Sequence, residues 1–155
     1  MVAGLPDDLI LLDGGMGQEL INRKASGQGV LWSARALFDC PDAVVAVHED
    51  YIRAGADVIT TNSYACIRNN FEPEGLADRL GEMNRLSAEL AQRARDACGK
   101  PVLIAGSMGP QRGSYRPDLV GTYEETEALY REQAEYLGPH VDIFICETLS
   151  CRRES

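Results

Sequence analysis

The sequence predicts an α/β fold with a parallel sheet, because short apolar runs alternate with longer amphipathic segments along the chain. The apolar runs begin near positions 9, 58, 102 and 141, a spacing of about 40 to 50 residues that suits one βα unit. Eight such units would need a chain about twice as long, in the usual range for an eight-stranded barrel. We therefore expect the 155 residues to form the first four βα units of a TIM (β/α)8 barrel, a truncated half-barrel, with a small open sheet as the alternative.

The first unit is predicted to begin with a buried parallel strand from Leu9 to Asp13, where an apolar run ends in a carboxylate. The glycine-rich stretch Gly14–Gly17 follows it, and a short helix is expected over about Gln18 to Lys24. Small and polar residues then predict a loop from Ala25 to Val30. The strand would carry Asp13 to its carboxyl end, which is where parallel sheets hold functional groups.

A longer helix is predicted over Pro41 to Ala54, since proline is typical of the first helical position. Asp39 or Cys40 is its expected cap, and Gly55 its expected stop. The β-branched run Val58 to Asn62 then predicts the second strand.

The third unit contains the longest predicted helix, from about Leu76 to Cys98, after a loop through Phe71 and Pro73. Gly99 and Pro101 end that helix, and the third strand is expected over Val102 to Ala105.

A capping box of Thr122 and Glu125 predicts the start of the next helix, which ends near Leu137 before Gly-Pro. The fourth strand is expected over Val141 to Cys146, and Thr148 to Ser155 would begin a further helix.

Charge and composition restrict the class of partner. A formal net charge of -9 disfavours nucleic acid and anionic membranes, because both would be repelled. No apolar run is long enough to span a membrane, and the N-terminus lacks the features of a signal peptide. The five cysteines form no tight paired motif, which favours free thiols in a reducing compartment. We expect a cytoplasmic protein whose residues 1–155 form a single partial domain.

Polar residues follow all four predicted strands, and the carboxyl ends of parallel strands meet at one edge of a sheet. Asp13 and Glu147 are carboxylates, and Asn62 and Ser107 are neutral hydrogen-bonding residues. The pair Gly14–Gly15 would let backbone N–H groups approach a ligand closely. Carboxylates for an ammonium and N–H groups for a carboxylate suit a small zwitterion such as an amino acid.

Other sites are less well supported by the sequence. A dinucleotide fingerprint would need Gly or Ala where Leu20 stands, and a tight turn with positive φ is another reason for the glycine run. Cys146 and Cys151 have neither the spacing nor the nearby histidine of a metal site. His48 and His140 are expected to be structural or solvated.

Four motifs occur in the order and spacing of a known family: Leu12-Asp-Gly-Gly-Met-Gly-Gln-Glu-Leu20, Gly55-Ala-Asp-Val-Ile-Thr-Thr-Asn-Ser-Tyr64, Ala105-Gly-Ser-Met-Gly-Pro110 and Cys146-Glu-Thr-Leu149. From Leu9 to its last residue, the chain resembles the homocysteine S-methyltransferase family. The resemblance implies an eight-stranded βα barrel that moves a methyl group from a donor to the homocysteine thiol, giving methionine.

The resemblance also assigns roles to the six candidate residues. It implies that Asp13 and Glu147 hold the homocysteine ammonium and that the Gly14–Gly15 backbone approaches the carboxylate. Asn62 and Ser107 would line the pocket. The methyl donor is left open among S-methylmethionine, S-adenosylmethionine, betaine and methylfolate.

Members of this family hold a zinc ion with three cysteine thiolates, and the ion favours the substrate thiolate. Those cysteines lie in a Gly-x-Asn-Cys stretch and a Gly-Gly-Cys-Cys stretch, neither of which occurs in the sequence. We therefore expect zinc in full-length members, but no metal ligand and no catalytic residue in this chain. Methyl transfer by the chain alone is not expected.

A half-barrel would expose two sheet edges and its inner face. Self-association, or a place within a longer protein, is therefore expected. The alternative function is a non-catalytic half-barrel that binds an amino acid or assembles with a partner chain.

Overall fold

The centre of the fold is a parallel sheet of three strands in the order β1-β2-β3: β1 (Val58–Thr60), β2 (Leu103–Met108) and β3 (Ile143–Cys146). The computed structural model describes residues 9–27, 29–152 and 154. Val58 aligns with Leu103 across the first pair of strands, and Ala105 aligns with Ile143 across the second. Strands that follow one another along the chain are neighbours in the sheet, with helices between them. The predicted parallel α/β class is therefore confirmed.

The described residues contain six α-helices: α1 (Met16–Asn22), α2 (Arg35–Asp39), α3 (Pro41–Ala54), α4 (Arg68–Phe71), α5 (Leu80–Cys98) and α6 (Tyr123–Leu137). Short 3₁₀ turns cover Trp32–Ala34, Ala77–Arg79 and Gly138–His140. The bounds predicted for α3 are confirmed, and Gly55 ends this helix with φ 108°. Cys40 is its N-cap but its side chain makes no capping hydrogen bond. Pro41 therefore supplies the start, because its ring already fixes a helical φ.

The capping box of α6 is confirmed, since the Glu125 N–H donates to Thr122 Oγ1 at 3.2 Å and the Thr122 N–H donates to Glu125 Oε2 at 3.0 Å. The long helix α5 begins at Leu80 rather than Leu76, because Ala77–Arg79 form a 3₁₀ turn. The short helix α4 occupies a stretch predicted as loop.

Several strand bounds and one helix prediction were wrong. β1 ends at Thr60 rather than Asn62, and β2 runs from Leu103 to Met108 instead of from Val102 to Ala105. β3 begins at Ile143 rather than Val141. No helix is found in 148–152 or at 154, and positions 153 and 155 of the predicted segment lie outside the described residues. Thr148 has φ 58°, which is incompatible with a right-handed helix.

The predicted strand Leu9 to Asp13 forms only one parallel bridge, between Leu12 and Val58. The segment still lies alongside β1, because the Asp57 N–H donates to the Leu11 carbonyl at 2.8 Å and the Asp13 N–H to the Val58 carbonyl at 3.0 Å. Its four apolar side chains, Leu9 to Leu12, are 79%, 40%, 51% and 48% exposed. The expectation of a buried strand was wrong, because only β1 flanks this segment among the described residues.

The core lies between the sheet and the helices α3 and α5, which pack against each other. Ile52, Ile59 and Ile104 are fully buried there. His48 is also fully buried in α3, and neither of its ring nitrogens has a hydrogen-bond partner. Burial lowers the pKa of His48 to about 3, so that the ring is neutral in the core. None of the described helices has the length and apolar character needed to cross a membrane.

Candidate functional site

A cleft of about 390 Å³ opens where the strands end. Its lining comes from six short segments: Gly14–Gly17, Trp32–Ser33, Thr60–Asn62 with Tyr64, Ser107, Ser114–Tyr115 and Glu147–Thr148. Five of the six candidate residues therefore meet here, and Asp13 is the one that does not line the cleft. Glu147 is the only charged residue among the described residues of the lining. The lining that the structure describes thus carries a negative charge and no cation.

Glu147 is held by its neighbour on the central strand. The Ser107 hydroxyl donates to Glu147 Oε1 at 2.5 Å, and the Glu147 N–H donates to the Met108 carbonyl at 3.1 Å. Ser107 is in turn fixed by its own N–H, which donates to Thr61 Oγ1 at 3.1 Å. Among the described residues no Lys or Arg forms an ion pair with Glu147. The carboxylate is therefore oriented, and no ion pair within 9–27, 29–152 and 154 neutralises its charge.

Asp13 lies beside the cleft and is bound by Thr60. Its Oδ2 accepts from the Thr60 N–H at 2.8 Å and its Oδ1 from the Thr60 hydroxyl at 2.9 Å. Burial raises the pKa of Asp13 to about 6, and the negative charge of Glu147 adds to this rise while the Thr60 bonds oppose it. A cationic group beside the two carboxylates would favour ionised Asp13.

Asn62 lines the cleft, but its side chain also holds a neighbouring turn. Asn62 is 2% exposed, and its Nδ2 donates to the Ser33 carbonyl at 2.9 Å. This bond fixes the turn that carries Trp32, so Asn62 shapes the wall as well as contributing to it.

Two glycines of the run, Gly14 and Gly17, are required by close packing rather than by backbone conformation. A Cβ at Gly17 would lie 2.4 Å from the Trp32 ring, and one at Gly14 would lie 2.8 Å from the Tyr51 hydroxyl. Neither glycine, nor Gly15, has a positive φ. The interpretation of the run as a turn needing positive φ was therefore wrong.

An aromatic wall completes the cleft, and its residues were missed as candidates. The rings of Trp32 and Tyr64 meet edge to face with centroids 6.0 Å apart. The hydroxyls of Tyr64 and Ser114 lie 2.5 Å apart. Trp32, Tyr115 and Thr148 have φ values of 39°, 61° and 58°, an unfavourable conformation that clusters at functional sites. Trp32 is the single Trp of the chain and follows the loop predicted over Ala25 to Val30, and this was the one signal for the wall.

The donor set for a metal is missing from the part of the chain that the structure describes. No group of three or more His, Cys, Asp or Glu side chains there could hold an ion. The five cysteines are free thiols, and Cys66 is fully buried. The residues present therefore do not fit the zinc centre that the resemblance implies for the family.

Comparison with known proteins gives one consistent result. A sequence model of the family described as homocysteine S-methyltransferase matches residues 10–155. The homocysteine S-methyltransferase of Escherichia coli strain K12 is 35% identical over 156 residues, covering 92% of this chain and 50% of that protein. A selenocysteine methyltransferase of Astragalus bisulcatus is 37% identical over 128 residues, covering 70% of this chain and 38% of that protein.

Solved structures agree with the sequence matches. The metallated form of the Escherichia coli homocysteine methyltransferase MmuM superposes with a TM-score of 0.87 at 36% identity, covering 96% of this chain and 56% of that one. The chain spans about half the length of these relatives.

Proposed function

The chain belongs to the homocysteine S-methyltransferase family, and from that premise we propose that its cleft binds the amino-acid end of homocysteine. The observation that carries this proposal is Glu147, which Ser107 orients into a cleft whose described lining contains no cation. An ammonium group would supply the missing positive charge through charge-assisted hydrogen bonds. Asp13, whose pKa is raised while no cation is near, would act as the second carboxylate.

The substrate carboxylate would lie at the glycine stretch. Gly14 and Gly15 line the cleft, and the first N–H groups of the helix that follows have no acceptor inside the helix. Asn62 and Ser107 would contribute mainly by holding Trp32 and Glu147 in place.

The activity proposed for the whole protein is methyl transfer to the homocysteine thiol, giving methionine. The chain would supply the first four βα units of a TIM barrel and the amino-acid end of the site. The cysteine stretches that the resemblance assigns to zinc do not occur in its sequence. Methyl transfer by residues 1–155 alone is therefore not expected, and formation of methionine with stoichiometric zinc would contradict this.

Binding of homocysteine to the 155-residue chain tests the site. Glu147→Gln keeps the shape of the side chain but removes its charge, and the loss of a charge-assisted bond of about 1.5 to 3 kcal/mol should weaken binding roughly 10- to 100-fold. Isothermal titration calorimetry at pH 7.5 gives the dissociation constant. Glu89→Gln, an exposed substitution on α5, is the matched control and should bind as the wild type does. Equal affinity of Glu147→Gln and the wild type would refute the site.

The alternative role, assembly with a partner chain, draws support from the exposed apolar residues at both edges of the sheet. Leu9 to Leu12 are exposed at one edge, and Phe144 is 43% exposed on β3 at the other. Self-association through these edges would bury them. Sedimentation velocity should then show concentration-dependent dimers that Leu11→Lys weakens, whereas a monomer at all concentrations would count against this role.

A further inference from the structure

A buried polar cluster lies behind the wall of the cleft, and Gln133 is at its centre. Gln133 belongs to α6, is 3% exposed and does not line the cleft. Its Nε2 donates to the Ser63 carbonyl at 3.0 Å, and its Oε1 accepts from Gln111 Nε2 at 2.8 Å. One amide group therefore connects two loops that follow different strands.

These two loops carry part of the aromatic wall, whereas Trp32 belongs to a separate turn, Trp32–Ala34. The first contains Tyr64, one residue after Ser63, and the second contains Ser114 shortly after Gln111. The two loops meet again at the cleft, where the Tyr64 and Ser114 hydroxyls are 2.5 Å apart. The link through Gln133 joins the same pair of loops at a second point, which is buried and does not line the cleft.

The first loop is also connected to the carboxylate. The Ser63 hydroxyl donates to the Ser107 carbonyl at 2.8 Å, and Ser107 orients Glu147. Asn84 on α5 supports the same loop, since its Nδ2 donates to the Cys66 carbonyl at 3.0 Å. A shift of this loop would thus disturb both the aromatic wall and the residue that holds Glu147.

We propose that Gln133 is a positioning residue, which holds the Ser63 and Gln111 loops together and so sets the affinity of the cleft for its amino-acid ligand. The identity of that ligand rests on the function proposed above, whereas the connection between the loops does not. Only a group with a donor and an acceptor fits position 133, because it meets a carbonyl on one side and an N–H donor on the other. A leucine there would remove one bond each from the Ser63 carbonyl and from Gln111 Nε2, and it would remove the donor from which the buried Asn84 Oδ1 accepts at 3.4 Å.

The single Trp of the chain makes the proposal testable without a ligand. Trp32 contacts Tyr64, so its emission spectrum and acrylamide quenching report on the position of the first loop. Gln133→Leu should change both, and should weaken homocysteine binding about 10-fold or more. The matched control is Gln92→Leu, which removes a similar bond from a helical Gln to the His140 carbonyl, at 2.7 Å, outside the cleft. This control should change neither signal.

Gln133→Glu provides a second test through its pH dependence. An ionised carboxylate repels the Ser63 carbonyl, but a protonated one again offers a donor and an acceptor. The Trp32 signal of this variant should therefore return towards that of the wild type, measured at the same pH, as the pH is lowered. A residue needed only for packing would not give this recovery.

The outcomes separate the two proposals. If the wild type binds no homocysteine, the proposed function fails, while the Trp32 signals still decide the role of Gln133. If Gln133→Leu resembles Gln92→Leu in emission, quenching and affinity, the role of Gln133 is refuted. If Gln133→Leu does not fold by circular dichroism, the pH recovery of Gln133→Glu decides: its presence supports the role and its absence refutes it.

Discussion

The central strand β2 and the N-terminal segment Leu9 to Leu12 are both apolar runs, yet they lie in opposite environments. Ile104 and Ala105 of β2 are fully buried, whereas all four residues of the N-terminal segment are at least 40% exposed. β2 has a hydrogen-bonded strand on each side, and α5 and α6 both pack against it. The N-terminal segment has only β1 beside it among the described residues. An apolar run therefore favours a strand, but its neighbours decide how much of it is buried.

The two regions should differ most in how much free energy of unfolding is lost when an apolar side chain is shortened to alanine. Ile104→Ala removes fully buried groups and should lower the free energy of unfolding by about 2 to 5 kcal/mol. Leu11→Ala, at a residue that is 51% exposed, should lower it by less than about 1 kcal/mol. Urea unfolding followed by circular dichroism gives both values. Similar losses for the two variants would mean that the N-terminal segment is covered in solution, as self-association would require.

The buried His48 should make the core sensitive to acid. The pKa of His48 is about 3 in the folded chain and 6.5 for an unperturbed histidine, so between pH 3 and pH 6.5 only the unfolded chain holds the proton. His48 therefore does not reduce the free energy of unfolding above pH 6.5. As the pH decreases from 6.5 towards 3, this free energy falls by about 1.4 kcal/mol per pH unit, which is roughly 3 kcal/mol at pH 4.5.

Unfolding by urea at pH 7 and pH 4.5 measures this loss. His48→Leu should remove most of the difference between the two pH values, whereas His140→Leu, at the other histidine, should leave it in place. An unchanged acid dependence in His48→Leu would show that the buried ring is not its source.

Asp13, at the end of the exposed segment, should act in the opposite direction. Its pKa is about 6 in the folded chain and 3.8 when unperturbed, so the folded chain holds the proton longer as the pH rises. Stability from this group is present below pH 3.8 and is lost by about pH 6. Asp13→Asn should therefore raise the free energy of unfolding at pH 7 by roughly 1 to 3 kcal/mol. The Asn oxygen can still accept from the Thr60 N–H, while its NH₂ group would donate to the Thr60 hydroxyl instead of accepting from it.

The same substitution should weaken homocysteine binding, because an ammonium favours the ionised carboxylate. Wild-type affinity should correspondingly fall as the pH drops below about 6, by up to 10-fold per unit. Denaturation and calorimetry across pH 5 to 8 measure the two effects, with the exposed Asp78→Asn as control. A variant that is less stable and binds equally well would contradict the assignment of Asp13.

Much of the fold could be predicted because its signals are local. Pro41 and Gly55 set the bounds of α3, and the Thr122–Glu125 capping box starts α6, so each depends on residues within a few positions. The end of β2 was predicted too early because its last residues, Gly106 to Met108, do not form an apolar β-branched run. The pairing of these residues with β3 extends the strand.

The candidate site could be predicted only at the strand ends. Glu147, Asn62 and Ser107 follow apolar runs, so a parallel sheet was bound to bring them to one edge. The wall formed by Trp32 and Tyr64 depends on loops that meet in space and on a Trp backbone with positive φ, neither of which has a local sequence signal. Gln133 was missed for the same reason, since an isolated helical Gln resembles any solvated one.

The sequence by itself determined the α/β class, the bounds of α3 and α6, the family and the residues at the strand ends, because periodicity, caps and motifs are properties of neighbouring residues. Only the tertiary structure decided that Leu9 to Leu12 are exposed, that Thr60 holds Asp13 and that Gln133 connects two loops. Burial, pKa and loop position each depend on residues far apart in the chain, as the 47 positions between Asp13 and Thr60 illustrate. These properties are set by packing, which no local pattern specifies.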